Sequence, residues 1–235
     1  MWFLVVYLMG CCNMRLHMSM DWRVRLRVSF YFLWLSLLSL VSFCFSQTSY
    51  AASSRIKAQY QLCKKCHGLS GEGRYDIQTP AIAGLPAWYI TAQLKKFRNG
   101  ARGKHPQDIN GVRMRPMSRT LKEKDIAGIA EYVAKLKPTQ PALTVKGNIA
   151  KGEVAYAVCK ACHGPNAEGN QTLNAPPLGM MNDWYLISQL KNFQHGIRGF
   201  DAVLDPTGAS MVGMAQTLKT EQAMKHVVSY IFSIR

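Results

Sequence analysis

Apolar residues recur at helical spacing in two sets of segments along the chain. In the first set, one segment runs up to Cys63, a second covers Trp88 to Phe97 and a third covers Asp125 to Leu136. Apolar side chains three or four positions apart share one face of an α-helix, so each segment predicts an amphipathic helix. No segment alternates as a strand would, and the pattern therefore predicts an all-α fold. The second set predicts the same three elements at Ile149 to Val158, Asp183 to Phe193 and Glu221 to Ile234.

The two sets belong to an internal repeat with an offset of 96 residues. Trp88 matches Trp184, and Gln93 matches Gln189, each inside a longer stretch of identical residues. Coincidental composition does not produce such matches in one register. The repeat therefore indicates duplication of one domain.

The first 51 residues differ from the rest of the chain. A cluster of arginines between positions 15 and 27 precedes an apolar run from Val28 to Ser46, and small residues surround Ala51. This order is typical of a signal peptide and predicts cleavage after Ala51. The apolar run is about 19 residues, long enough to span a bilayer, so an uncleaved membrane anchor is the alternative. In both cases the arginines stay inside and the remainder is exported.

The predicted organisation therefore has four parts. Residues 1–51 form the signal peptide or membrane anchor. Residues 52–138 form the first domain, residues 139–144 a linker and residues 145–235 the second domain.

The strongest chemical signal is the motif Cys63-Lys64-Lys65-Cys66-His67, which returns as Cys159-Lys160-Ala161-Cys162-His163. Two thiols three positions apart, followed directly by an imidazole, are the attachment signature of a c-type haem. The thiols form thioether bonds to the haem vinyl groups, and the histidine is the proximal iron ligand. A zinc site made of the four cysteines is the competing interpretation, but it gives no reason for a histidine after each pair. The carbonyl groups expected to orient the histidines belong to Thr79-Pro80 and Ala175-Pro176.

Methionines are the candidates for the second axial ligand. Between residues 52 and 140 the only methionines are Met114 and Met117, so a Met-ligated first haem must use one of them. At an offset of 97 their counterparts are Met211 and Met214, and we expect one member of each pair to ligate iron. The rival histidines have no counterpart in the other repeat: His105, His195 and His226.

Over nearly all of residues 55–235, these features resemble a dihaem cytochrome c of the cytochrome c4 type. The resemblance rests on the two haem motifs, the Trp-Tyr-x-x-x-Gln-Leu-Lys segments and the Met-x-x-Met segments. It implies two tandem class I cytochrome c domains, each a small helical fold wrapped around a covalently bound haem. In that family the axial methionine lies eight residues before the start of the last helix. Lys122 and Lys219 occupy that position here, and the resemblance therefore implies Met114 and Met211 as ligands, with Met117 and Met214 as the alternatives.

The charge of the chain bears on its partners. The formal net charge is +16, and residues 52–235 hold 25 Lys and Arg against 12 Asp and Glu. Such a surface favours an acidic docking surface on redox partners, or association with an anionic membrane surface, and is equally consistent with simple solubility. Because the basic residues are spread out and the chain is predicted to be exported, we expect no nucleic-acid partner.

Histidine and methionine together fill both axial positions, which suits one-electron transfer. The predicted function is a periplasmic electron carrier, soluble or loosely associated with the outer face of the inner membrane. By resemblance, its partners are a quinol-oxidising complex and a terminal oxidase, or a dehydrogenase. The alternatives are a cytochrome subunit of a larger dehydrogenase and a dihaem peroxidase-like enzyme, which needs an open axial position.

Overall fold

The computed structural model describes residues 53–235, and the predicted signal peptide or anchor at residues 1–51 lies outside the described residues. This part of the chain is helical, which confirms the predicted all-α fold; its only β-pairing is two isolated bridges, one in each repeat. The described residues form eight helices: α1 (53–67), α2 (Ala87–Asn99), α3 (Ile109–Thr120), α4 (Glu123–Ala134), α5 (Ile149–His163), α6 (Asp183–Gln194), α7 (Pro206–Gln216) and α8 (Glu221–Ser233).

Each repeat thus has four helices where the hydrophobic pattern predicts three. The additional helices are α3 and α7, which carry the paired methionines. They lack a broad apolar face, and α3 also contains Pro116 and buries only Gly111 and Ser118. Caps at the N-termini stabilise them instead: Asp108 accepts a hydrogen bond from the backbone N–H of Gly111, and Asp205 accepts one from Gly208.

The haem motifs lie on helices rather than after them, which corrects the predicted ends at Cys63 and Val158. Helix α1 continues to His67 and α5 continues to His163. Nothing in either motif breaks a helix until the next residue, Gly68 or Gly164. Both glycines have positive φ (88° and 82°), a backbone conformation that favours glycine and ends the helix.

Within each repeat the haem-motif helix packs against the last helix. The rings of Tyr60 on α1 and Tyr132 on α4 lie 4.8 Å apart, and those of Tyr156 on α5 and Tyr230 on α8 lie 5.5 Å apart. Gly152 permits the close approach of α5 to α8, because a Cβ atom there would lie 2.0 Å from the carbonyl oxygen of His226. The duplicated sequence therefore folds into two similar units.

The two repeats also contact each other directly. The backbone N–H of Ala81 donates to Oδ1 of Asn182 at 2.7 Å, and Nζ of Lys96 lies 2.6 Å from Oδ1 of Asp205. The buried apolar side chains of both repeats form one continuous cluster. The two candidate sites are consequently built side by side rather than on separate bodies.

Candidate haem sites

His67, at the end of α1, has a defined orientation in the wall of the first cavity. Its Nδ1 lies 2.8 Å from the carbonyl oxygen of Pro80, which confirms the predicted carbonyl partner. This hydrogen bond makes Nδ1 the protonated nitrogen and leaves Nε2 available to a metal. Burial lowers the pKa of His67 below its usual value, although the Pro80 carbonyl opposes this shift. The ring is therefore neutral, the form that ligates iron.

His163, at the end of α5, has the same environment in the second repeat. Its Nδ1 lies 2.8 Å from the carbonyl oxygen of Pro176, as the sequence predicts, and burial lowers its pKa. Both histidines are more than nine-tenths buried, with exposed fractions of 9% for His67 and 6% for His163. The two sites thus share one design for a proximal ligand.

A glycine in each loop brings the proline carbonyl to the histidine. Gly73 has a φ of 83°, and its N–H donates to the carbonyl of His67 at 2.7 Å. A Cβ atom at this position would lie 2.5 Å from the backbone nitrogen of Ala81, next to Pro80. Gly169 repeats the arrangement in the second loop. Only glycine allows the loop to fold back this closely.

Each repeat contains an apolar cavity lined by its histidine, its two methionines and one or both of its cysteines. The first cavity is about 430 Å³ and the second about 110 Å³. In both sites the first cysteine, Cys63 or Cys159, is half-buried and the second, Cys66 or Cys162, is exposed. Cys63 and Cys66 both line the first cavity. The predicted site residues that line the first cavity are Cys63, Cys66, His67, Met114 and Met117. Those that line the second cavity are Cys159, His163, Met211 and Met214.

Each cavity also takes part of its wall from the other repeat. Met181, Tyr185 and Gln189 of the second repeat line the first cavity. Tyr89 and Gln93 of the first repeat line the second cavity. A group bound in one repeat is therefore in contact with side chains of both.

Two buried arginines link the cavities. Arg102 lines the first cavity and Arg198 the second, and their exposed fractions are 5% and 7%. Arg102 donates to Oε1 of Gln93 (2.7 Å) and of Gln189 (3.2 Å). Arg198 donates to the same two oxygens, at 3.1 Å and 2.8 Å. The hydrogen bonds therefore cross between the repeats in both directions.

Neither arginine forms a direct ion pair within residues 53–235, although Asp108 and Asp205 interact with Arg102 and Arg198 at longer range, and both Nε atoms are buried without a hydrogen-bond partner there. A buried guanidinium without an anion is costly. A haem brings two carboxylates of its own, so these unpaired cations fit a haem rather than a neutral ligand. Sequence reasoning assigned no role to Arg102 and Arg198, although their match at an offset of 96 was a usable signal.

The geometry excludes the zinc interpretation. Among the described residues, no cluster of three or more His, Cys, Asp or Glu side chains is arranged to hold a metal ion. Cys63 and Cys159 are not activated thiols either, because burial raises the pKa of both, and that of Cys159 rises to about 11 with the neighbouring Cys162.

The side chains present fit a covalently attached haem in each repeat. Cys63 and Cys66 would form the thioether bonds of one haem, and Cys159 and Cys162 those of the other. His67 and His163 would ligate the irons, and the buried arginines would neutralise carboxylates.

The exposure of the methionines favours the inner member of each pair. Met114 is partly buried and packs against the core, whereas Met117 is 39% exposed. Met211 is partly buried and Met214 is 43% exposed. None of the rival histidines lines either cavity: His105, His195 and His226.

The predicted start of the last helix, eight residues after the axial methionine, agrees with the structure in only one repeat. Lys122 is the N-cap of α4, as predicted. The N-cap of α8 is Thr220 rather than Lys219, because the Thr220 hydroxyl accepts a hydrogen bond from the backbone N–H of Ala223 at 3.1 Å, which a lysine side chain cannot do. The prediction for Lys219 is therefore wrong by one residue, and the case for Met211 depends on its burial and on the repeat.

An ion pair between the repeats supports the methionine helix of the second site. Lys96 contacts Asp205 at 2.6 Å and donates to the hydroxyl of Thr207 at 2.7 Å, at the first turn of α7. Asp205 is fully buried. Burial alone raises the pKa of its carboxyl, but Lys96 and the N–H of Gly208 hold it below its usual value. In the second repeat Asn192 of α6 occupies the position equivalent to Lys96, so the methionine helix of the first site has no matching ion pair from α6.

Replacing Lys96 with methionine should therefore destabilise the second repeat. The variant leaves the buried Asp205 carboxylate without its cation, a loss of about 3 kcal/mol in the free energy of unfolding. Urea denaturation of the holoprotein measures it. The control is Lys191→Met, which breaks the exposed Lys191–Glu221 pair and should cost less than about 1 kcal/mol. Equal losses in the two variants would contradict a structural role for Lys96.

Comparison with known proteins agrees with this geometry. The Cytochrome c family model matches the chain twice, at residues 53–137 and 149–235. The thiosulfate dehydrogenase electron acceptor of Thiomonas intermedia (strain K12) is 33% identical over 175 residues, covering 68% of this chain and 76% of that protein. Cytochrome c4 of Azotobacter vinelandii is 28% identical over 162 residues, covering 64% of this chain and 75% of that protein.

A solved structure shows the same arrangement. The structure of Acidithiobacillus ferrooxidans cytochrome c4 superposes with a TM-score of 0.61 at 27% identity, covering 74% of this chain and 99% of that chain. Electron carriage is the shared role of such proteins, and the tandem match accounts for both haem motifs. The chain belongs to the cytochrome c family, as a dihaem electron carrier of the cytochrome c4 type with two haems c covalently attached to its two repeats.

Proposed function

We propose that this chain carries electrons one at a time in the periplasm and that a histidine and a methionine ligate each of its two haems. The equivalence of the two sites carries the proposal. Each repeat places a buried, neutral histidine and a partly buried methionine in the wall of one apolar cavity. The proposed ligands are His67 and Met114 in the first repeat, and His163 and Met211 in the second.

The bound haems supply one-electron redox chemistry. The chain's own residues hold and tune that chemistry. The proline carbonyls fix the tautomer of the two histidines, and the apolar cavity walls exclude water. Arg102 and Arg198 place two positive charges between the sites, where they favour anionic groups.

The predicted export signal and the charge of the chain support the proposed location and partners. Within residues 53–235, no helix combines the length and apolar composition needed to span a bilayer. The export signal predicted at residues 1–51 supports the periplasm. The basic balance of residues 52–235 supports acidic docking surfaces on a quinol-oxidising complex and a terminal oxidase.

A second candidate has a specific observation in its favour. The relative from Thiomonas intermedia is named a thiosulfate dehydrogenase electron acceptor. By analogy, this chain would receive electrons from a dehydrogenase, either as a free carrier or as its bound subunit. Purification of the protein from its native membranes and periplasm distinguishes the two, because a bound subunit co-purifies with a dehydrogenase in a fixed ratio.

Carbon monoxide separates the carrier from a peroxidase-like enzyme. With methionine on both irons, the reduced holoprotein should show no shift of its absorption bands under carbon monoxide at neutral pH. A shift accounting for one haem per chain would reveal an open axial position and contradict His/Met ligation at that site. Myoglobin, which has such a position, is the positive control.

A further inference from the structure

The basic charge of the protein is concentrated in its first repeat. Residues 52–138 hold 17 Lys and Arg against 6 Asp and Glu, whereas residues 139–235 hold 8 against 6. The formal net charges are therefore +11 and +2. Since the repeats arose by duplication of one fold, equivalent positions can be compared directly.

The contrast is sharpest on the two methionine helices. Arg113 on α3 is exposed and lines the first cavity, and Arg119 on the same helix is also exposed. The equivalent residues on α7 are Ser210 and Gln216, and α7 carries no charged side chain at all. The surface over the first site is thus cationic where the surface over the second is neutral.

The haem motifs show the same contrast. Lys65 is exposed between the two cysteines of the first motif, and Ala161 takes its place in the second. Cys66, the next residue, is itself exposed and lines the first cavity. A group held by Cys66 therefore reaches the surface beside Lys65.

Exposed apolar side chains lie in the segment before α7 and on α7, as Ile109 and Val112 of α3 do in the first repeat. Val203 is 91% exposed, and Phe200, Leu204 and Met214 are each 42–45% exposed. These residues lie on α7 or in the segment directly before it. The corresponding segment of the first repeat, at 103–107, contains Lys104 and His105.

We propose that Lys65, Arg113 and Arg119 form a basic face on which an acidic redox protein docks, so that electrons are exchanged with that partner at the first site. The proposal rests on the proposed function as an electron carrier and specifies where one partner binds. Cationic groups beside an exposed redox site raise the encounter rate with an anionic partner and orient it. The second site keeps only the exposed Lys160 in its haem motif and has no charge on its methionine helix, so it attracts such a partner less.

The test is stopped-flow electron transfer between the holoprotein and plastocyanin, an acidic one-electron copper protein. The variant K65A/R113S/R119Q gives each position the residue of the second repeat. At low salt we expect its second-order rate constant to fall about tenfold or more. The control K135Q/K137Q/K146Q removes the same charge from exposed lysines that line neither cavity, and should fall less than about threefold. At high salt the charges are screened, so the rate constants of the wild type and both variants should converge.

Equal losses in the two variants would overturn the basic face, because net charge alone would then explain the rate. An unchanged rate in K65A/R113S/R119Q would overturn it as well. A reductive titration of each variant keeps the proposed function separate. If both haems still titrate reversibly, only the docking face has failed; if the wild-type holoprotein does not titrate, the carrier function itself has failed.

Discussion

A chain carrying Cys63→Ala and Cys66→Ala should retain a single covalent haem, at the second repeat, and lose the folded structure of the first. The first cavity of about 430 Å³ would then lack its attached occupant. An apolar site that loses its occupant leaves the core of the repeat without its largest component, so we expect a loss comparable with the total stability of a small domain, about 5–15 kcal/mol. The amount of haem that stays on the denatured chain measures covalent attachment. Far-UV circular dichroism measures the loss of helical structure.

The reciprocal variant is the matched control. Cys159→Ala with Cys162→Ala should retain one covalent haem at the first repeat. Its structural loss in the second repeat should be comparable, because the same group is removed from an equivalent site. Two covalent haems in either variant, or the loss of both from one double substitution, would contradict independent attachment at the two motifs.

Replacing Met114 with alanine should convert the first haem from low-spin to high-spin and lower its reduction potential. A thioether ligand raises the potential, and axial ligands as a class span about 0.8 V, so a fall on the order of 0.1 V is expected. Met117→Ala should leave the spin state unchanged, because this exposed side chain is the outer member of the pair. Electron paramagnetic resonance and potentiometry measure the two quantities.

The same comparison at Met211 and Met214 tests the second site. Met224→Leu is the control, since Met224 is a buried methionine of α8 that lines neither cavity, and this swap preserves volume. A high-spin haem in Met117→Ala or Met214→Ala, with low-spin haem in the inner variants, would transfer the ligand assignment to the outer methionines.

The cysteines, proximal histidines and proline carbonyls were predictable because each depends on short-range spacing. Cys63, Cys66 and His67 lie at the C-terminal end of one helix, and Pro80 lies in the loop that follows this helix. The fold class was predictable for a related reason. Helices α2, α4 and α8 bury an apolar face, and such faces are visible as periodicity.

Helices α3 and α7 were not predictable from periodicity, because capping rather than a buried face stabilises them. The usable signal was the capping residue: Asp205 precedes Pro206, and a proline at the first helical position is typical of a helix start. Asp108, with Gly111 three residues later, is the weaker counterpart in the first repeat. A search for caps would have found the helices that carry the methionines.

The contacts between the repeats depend on how two similar units are placed together, which no local pattern encodes. Arg102 and Gln93 lie nine positions apart in the chain, but Arg102 and Gln189 lie 87 apart. The Lys96–Asp205 pair is likewise invisible in the sequence, since Lys96 matches Asn192. Identity between repeats can mark such residues as shared, but only the structure shows what they contact.

The most direct test of the central claim is a spectroscopic reductive titration of the purified holoprotein. The account predicts two electrons per chain, taken up in two reversible one-electron steps, with both haems low-spin in the oxidised protein and a methionine-to-iron charge-transfer band assigned to each. A single one-electron step, or one haem that is high-spin as isolated, would contradict a carrier with two equivalent His/Met sites.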